Sequence, residues 1–334
     1  MGPAPAVAAV RSAVRSVLDG PVLVACSGGA DSLALAAATA FEATRAGVRA
    51  GLITVDHGLS PGSAAQASRV AALGYELGFD PVLQVCVEVG RAGGPEAAAR
   101  SARYAALDAA AAALGARVLL GHTLDDQAET VLLGLGRGSG PRSLAGMAEA
   151  DGRYLRPLLR VRRATTEAAC AALGLTPWSD PHNADPRFQR VRLRREVLPL
   201  LEDVLQGGVA EALARTAELL RDDLEALDAR AAGVLSLINS PGAGLWTCCE
   251  RDDHGNQPHE LDVTLLAELP TAIRTRVLRT WAGHAGAGPL TAERTHALDA
   301  LVTGWHGQGP VQLPGGVAVS RASGRLVVTP NVQE

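Results

Sequence analysis

Residues 22–32 read VLVACSGGADS: a short apolar run, a Ser27-Gly28-Gly29 turn, and an acid and hydroxyl at Asp31 and Ser32 where an apolar helix pattern begins at Leu33. A strand feeding a glycine-rich turn and then a helix points free backbone N–H groups and the positive end of the helix at one place, which suits phosphate. Paired glycines let the backbone take positive φ and come close to a bulky anion, the Ser27 and Ser32 hydroxyls can donate, and Asp31 can hold Mg2+ between phosphate oxygens. The same residues also suit a plain strand-to-helix turn capped by Ser27 or Asp31, so the loop alone does not decide.

Working outward, the apolar runs Val22–Ala25, Ala50–Val55, Pro81–Val87 and Arg117–Leu120 alternate with alanine- and leucine-rich segments at 30–46, 61–77 and 95–114. This alternation reads as βαβ units around a buried parallel sheet. In such a sheet ligands bind beyond the carboxyl ends of the strands. That rule selects the 27–32 turn, the pair Asp56-His57, the helix carrying Arg100 and Arg103, and the run Gly121-His122-Thr123-Leu124-Asp125-Asp126-Gln127-Ala128-Glu129. Thr123 and Asp126 form a capping-box variant. A cap does not account for His122, Asp125, Asp126 and Glu129 together, which at helical spacing form a polar stripe opposite Leu124, Val131 and Leu135. Converging carboxylates there suit Mg2+ or an ammonium ion.

Further along, Tyr154–Leu159 reads as a fifth strand, 162–173 as a helix, and 187–205 as an arginine-rich approach to another helix. Gly207-Gly208 marks the expected domain boundary, giving 1–205 and 206–334. Beyond it lie a helix or helix pair at 209–237, a polar loop at 239–260, two or three helices within 262–303, and short strands at 311–313, 316–321 and 325–329.

Among 334 residues, 47% are hydrophobic and the net charge is −4. No apolar run reaches the roughly 18 residues of a membrane span, and the N-terminus lacks a secretory signal pattern, so the expectation is a cytoplasmic enzyme with no membrane partner. Five cysteines without C-x-x-C argue against a disulfide framework, and Cys248, Cys249, His254 and His259 lack a recognised metal-ligand spacing. All 31 basic residues are arginine, and 12 of them fall in 137–195 against five acids. Such a concentration in an acidic chain invites a polyanionic partner. Arg137, Arg142, Arg187, Arg190, Arg192, Arg194 and Arg195, with Phe188 among them, suit phosphate contacts and base stacking.

SGGADS at 27–32, VDHGL at 55–59, EAAARSARY at 96–104, GHTLDDQAETVLLGLGRGSG at 121–140 and WSDPHNADPRFQRVRLRREVLPLL at 178–201 together resemble the tRNA(Ile)-lysidine synthetases, a PP-loop family of N-type ATP pyrophosphatases. The likeness spans about residues 20–205, with a weaker echo in QLPGGVAVSRASGRLVV at 312–328. It implies an α/β parallel-sheet PP-loop ATPase domain followed by a smaller, mainly helical tRNA-binding domain with short terminal strands. The implied activity is ATP- and Mg2+-dependent joining of free L-lysine to C2 of the wobble cytidine of a CAU-anticodon tRNA(Ile), through an adenylated tRNA, and a homodimer is compatible with this class.

By this resemblance Ser27, Gly28, Gly29, Ala30, Asp31 and Ser32 hold the pyrophosphate, with Asp31 on the metal, and Asp56, His57 and Arg103 lie by the nucleotide. Asp31, Arg100, His122 and Asp126 serve the reacting centre, Asp125 and Glu129 receive lysine's ammonium groups, and the seven arginines meet tRNA. The D-P-x-N element carries His182 where the family has a hydroxyl. The nearest rivals are a 2-thiocytidine type of tRNA enzyme, which needs a cysteine pair, an amidating ATP pyrophosphatase, which needs an ammonia source, and a non-catalytic nucleotide- or RNA-binding module.

Overall fold

A computed structural model describes residues 2–58, 62–90, 94–138, 140–179, 185–238 and 260–330. Asp180, His182 and Asn183 of the D-P-H-N element, the 239–259 segment and the Cys248, Cys249, His254 and His259 group lie outside the described residues. The chain divides into two compact units, Met1–Arg221 and Asp222–Glu334, at a point within the helix Val209–Ile238.

The first unit opens with α1 (Pro5–Arg15), whose Val7, Val10 and Val14 form one buried face. There follow β1 (Val22–Ala25), α2 (Ala30–Ala46), β2 (Ala50–Asp56), α3 (Ser63–Glu76), β3 (Val82–Cys86), α4 (Pro95–Leu114), β4 (Arg117–Leu120) and α5 (Leu124–Arg137). A short α6 (Pro141–Leu144), the strands β5 (Ala150–Asp151) and β6 (Tyr154–Leu155), α7 (Arg163–Ala172), α8 (Gln189–Arg192), a π turn at Leu193–Val197 and α9 (Leu198–Val204) complete it up to α10 (Val209–Ile238).

The sheet order is β3-β2-β1-β4-β6-β5, parallel throughout except for β5. The chain winds outward from β1 through β2 to β3, then returns to the other side of β1 with β4. That reversal makes β1/β4 the switch point where α/β sheets open a crevice for ligands. Register fixes its level: Ala25 lies opposite Leu120, so the 27–32 turn and the 121–126 run leave the sheet side by side. Leu23, Leu52, Ile53 and Leu119 are fully buried beneath them, each contributing about 1.5–3 kcal/mol by leaving water. Gly121 permits the approach, since a Cβ there would sit 3.1 Å from the Asp31 carbonyl carbon and the Ser32 nitrogen.

Two expectations change, and an open one is decided. The fifth strand stops at Leu155 instead of Leu159, because Pro157 has no N–H for the ladder and the chain turns, putting Leu158 and Leu159 in the core. Residues 209–238 form a single helix, one of the two arrangements expected there. Leu135 is 62% exposed although it was expected on the core side of α5, while Glu129 on the polar side is wholly buried.

In the second unit, α11 (Val263–Glu268), α12 (Thr271–His284) and α13 (Ala292–Thr303) accompany an antiparallel sheet of order β7-β10-β9-β8, built from Glu260–Asp262, Arg325–Pro330, Val317–Ala322 and Val311–Leu313. Val277, Leu278, Leu298, Leu301, Val319 and Leu326 form its core. The three-residue strand at 260–262 was not expected from the sequence; it pairs with β10.

Candidate active site

The loop is braced from within. Ser32 donates through Oγ to the Gly29 carbonyl at 2.9 Å, and the same Oγ accepts from the Ser27 N–H at 3.2 Å. Gly28 takes φ +86°, and a Cβ there would run into the Gln66 side chain. Gly29 begins α2 with no side-chain cap, leaving the first amides of the helix, at Ala30, Asp31 and Ser32, without helical partners. Ser27 is exposed beside them. Bare amides, an exposed hydroxyl and a left-handed glycine form a cradle of the size and polarity that a phosphate chain requires.

The facing run behaves differently. Thr123 caps α5 in a capping box in which Asp126 Oδ2 accepts from the Thr123 N–H at 2.8 Å and from its Oγ1 at 2.9 Å. Asp126 therefore does the work of a cap with one oxygen and turns the other, Oδ1, toward the sheet end. Gln127 serves structure: its amide donates to the Met147 carbonyl at 2.8 Å and accepts the Met147 N–H at 2.7 Å.

What joins the two loops is a side chain absent from the expected site. The Arg163 guanidinium donates to Asp31 Oδ2 at 3.1 Å and to Asp126 Oδ1 at 2.6 Å, and lies 3.5 Å from Glu129 Oε1. Thr166, one turn along α7, donates to the other oxygen of Asp31. Arg194 holds Glu129 with two bonds, at 2.7 and 3.2 Å, and reaches Asp126 at 3.4 Å. Asp125 faces away from this group and fastens the start of α7, accepting from the Arg163 N–H at 2.7 Å and from the Arg162 side chain at 3.2 Å. Thus Asp31, Asp126, Glu129 and Arg194 come together, while Asp125 is spent on an adjoining helix end. The signal for Arg162, Arg163 and Thr166 was present, because they start the helix that follows the fifth strand. The carboxyl end of the fifth strand therefore belongs to the site along with those of the first four.

Electrostatics follow the same geometry. Burial raises the Asp31 carboxyl above its ordinary range, against the pull of Arg163 and Thr166. Burial alone would also raise Asp126, but Arg163, the Thr123 amide, His122 and Arg194 outweigh it and hold it low. Arg163 itself stays charged, since Asp126, Asp31 and Glu129 overcome the cost of burying it.

His122 is pushed down to about 4, chiefly by burial and further by Arg156, Arg103 and Arg100, with Asp126 opposing, and its Nδ1 is buried without a hydrogen-bond partner among the described residues. The imidazole is therefore neutral at pH 7 and presents an unsatisfied ring nitrogen. Because the folded value lies below the ordinary one, near 6.5, the unfolded chain binds the extra proton first. The stability contributed by neutral His122 is complete above about pH 6.5 and is lost as pH falls toward 4, by up to about 3 kcal/mol. His122→Gln is expected to flatten that part of the stability-against-pH curve in denaturant titrations, and an unchanged curve would refute the assignment.

On α4, Arg100 lies over the Tyr104 ring, 4.9 Å from its centroid, and Arg103 at 5.6 Å, and both push the His122 imidazole toward its neutral form. Asp56 closes its own turn, accepting from the Gly58 N–H at 2.9 Å, and this amide with Ser63 lowers its carboxyl; His57 follows it at the same strand end. Of the arginines read as facing tRNA, Arg137, Arg142, Arg187, Arg192 and Arg195 are exposed. Arg187 pairs with Asp185 and Arg192 with Glu196, both close in sequence, and Arg190 reaches Thr130 at 3.4 Å. Of the seven, Arg194 turns into the carboxylate group.

For a metal, Asp31 beside the phosphate cradle supplies the single hard carboxylate that Mg2+ commonly uses together with substrate phosphates, so the donor set fits that ion. Among the described residues no group of three or more His, Cys, Asp or Glu could hold a metal by itself, and no helix is long and apolar enough to cross a membrane.

Residues 7–201 match the PP-loop domain family, and residues 261–327 match the TilS substrate binding domain. A tRNA(Ile)-lysidine synthase of Thermobifida fusca is 58% identical over 98% of this chain and 99% of its own length. That of Streptomyces coelicolor is 53% identical over 98% and 99%, and that of Mycobacterium tuberculosis 54% over 86% and 83%. Among solved structures, the U34-tRNA thiolase NcsA from Methanococcus maripaludis, described with its [4Fe-4S] cluster, aligns with a TM-score of 0.54 at 19% identity, covering 65% of this chain and 78% of that one. This last likeness concerns the fold.

Proposed function

From the premise that the chain belongs to the tRNA(Ile)-lysidine synthase family, with a PP-loop domain at its amino end, we propose that its sheet end joins free L-lysine to C2 of the wobble cytidine in a CAU-anticodon tRNA(Ile). ATP is consumed to AMP and pyrophosphate. The reading rests on one observation: the phosphate cradle at 27–32 and the neutral His122 with its acidic neighbours leave adjacent strands at the same level.

The chemistry explains the arrangement. An amide-like carbonyl at C2 resists attack by an amine until its oxygen becomes a leaving group. In the first step that oxygen attacks the α-phosphorus of ATP, the bond to the bridging oxygen breaks, and pyrophosphate departs into the cradle. The α2 amides, Ser27 and the glycine backbone take up its charge. Mg2+, held by Asp31, would share that charge. Arg100 and Arg103 are placed to neutralise the adenylate.

In the second step the lysine ε-amine adds to C2 and AMP leaves with its electron pair. Holding the two reactants together lowers the entropic part of the barrier. His122, neutral beside Asp126 at the end of β4, borders the place where the amine sheds its proton. Asp126 and Glu129 are the acids that can meet ammonium; Asp125 acts by fixing α7. The exposed arginines Arg137, Arg142, Arg187, Arg192 and Arg195, with the half-buried Arg190, meet the tRNA backbone, with residues 206–334 as the tRNA-binding domain and 1–205 as the catalytic one. The cytoplasm, where tRNA and free lysine meet, is its place of action.

The direct test is incubation with tRNA(Ile) bearing cytidine 34, ATP and labelled lysine, followed by nucleoside analysis; no labelled nucleoside would end the reading. For the acid itself, Glu129→Gln is expected to raise the lysine KM about tenfold or more while leaving the ATP KM within twofold. Unchanged lysine kinetics would remove Glu129 from the lysine site.

A further inference from the structure

Every carboxylate oxygen of Asp31, Asp126 and Glu129 already has a donor, and one side chain serves all three residues. Arg163 is only 17% exposed, so water screens these contacts little. Its backbone is pinned by Asp125, leaving the guanidinium at the end of a flexible stem as the part that can move. Glu129 keeps Arg194 at 2.7 Å if Arg163 withdraws, whereas Asp126 then keeps only a 3.4 Å contact with Arg194 beyond its cap. With Arg163 gone, Asp126, Glu129 and Arg194 carry one net negative charge, which a single ammonium ion balances.

Resting on the functional reading above, we propose that Arg163 is a displaceable internal cation that makes capture of lysine conditional on nucleotide. A divalent cation at Asp31 and a guanidinium 3.1 Å from the same carboxylate repel one another, so arrival of metal and nucleotide drives Arg163 off Asp31. The bridge from Asp31 to Asp126 and Glu129 is then broken, and the vacated cation position between the latter two accepts the substrate ammonium. Without nucleotide, lysine competes with a cation tethered within the protein at high effective concentration. Arg163 is thus a positioning residue that couples the two ends of the site, and the coupling is reciprocal.

The test is equilibrium dialysis of labelled lysine against the full-length protein, without tRNA, in the presence and absence of Mg2+ and α,β-methylene ATP, whose α–β bridge cannot break. Wild type is expected to bind lysine at least about tenfold more tightly with nucleotide. Arg163→Gln should bind it equally, within twofold, in both conditions, and more tightly than wild type without nucleotide. Arg163→Lys, which keeps one charge but cannot span three carboxylates, should retain an intermediate coupling and serves if the Gln variant fails to fold. A wild-type ratio below twofold, or a full tenfold ratio in either variant, overturns the proposal. Lysidine assays on the same wild-type preparation separate the two claims. Product without coupling refutes the role of Arg163 alone, and absence of product refutes the functional reading on which it rests.

Discussion

Asp31→Ala is expected to abolish tRNA-dependent exchange of pyrophosphate into ATP, by a factor of at least about a thousand, or ~4 kcal/mol of transition-state stabilisation, in a protein that still folds. Asp31 lies in the first turn of α2 beside its bare amides, and on the proposed mechanism its loss removes the carboxylate that would hold Mg2+ there. Folding survives because the partners it leaves behind are not stranded. Arg163 keeps Asp126 at 2.6 Å, and the Thr166 hydroxyl keeps the Arg163 carbonyl at 2.7 Å. Asp31→Asn distinguishes charge from shape, because it preserves an acceptor for Thr166 while removing the anion; it is expected to fail almost as completely. Exchange within tenfold of wild type in either variant, alongside a normal melting curve, would take the loop carboxylate out of the mechanism.

Arg194→Ala is the second large effect, and it is expected to appear first as lost stability. Glu129 is wholly buried and takes both close hydrogen bonds from Arg194; without them its nearest cation is Arg163 at 3.5 Å. Breaking a buried pair from one side strands a charge in a poorly solvated place, at a cost of about 3–5 kcal/mol. The double variant Glu129→Gln, Arg194→Ala, which removes the stranded charge, should recover more than half of the loss in denaturant midpoint. Arg192→Ala, two residues away, should behave in the opposite manner. Arg192 is 61% exposed and pairs with Glu196 four residues on, in the adjoining π turn, so its removal should leave the midpoint unchanged. It should instead lower the slope of log binding constant against log salt for tRNA by about one. A normal midpoint for Arg194→Ala combined with weakened tRNA binding would return Arg194 to the outward set.

These two neighbours show how the sequence reading ran out. Arg187 to Arg195 form a single basic run in the chain, and nothing in its spacing separates a residue that turns inward from those that face solvent. The separation comes from the π turn at 193–197 and from Glu129 on a distant helix. Asp125 and Asp126 pose the same difficulty. Adjacent on a helix, they point about 100° apart; one caps its own helix and meets Arg163, and the other fastens the first turn of α7. The polar stripe on α5 is expected to carry converging carboxylates; two of them, Asp126 and Glu129, are buried, because arginines from α7 and the 193–197 turn supply the charge that makes burial tolerable.

The sequence by itself determined the alternation of strands and helices, the parallel sheet, the glycine turn at the end of the first strand and the acid-rich run after the fourth. Each of these is written in local periodicity, in turn chemistry and in short motifs, which act over a few residues. Tertiary structure alone decided that Arg163 and Thr166 reach the Asp31 carboxylate across more than 130 positions, that Glu129 is sealed beneath Arg194, and that Asp125 leaves the group to hold α7. Such pairings follow from strand order and register, which bring Gly121 against the backbone of Asp31 and Ser32. Order and register are set by the burial of the whole sheet, and so no short stretch of the chain contains them.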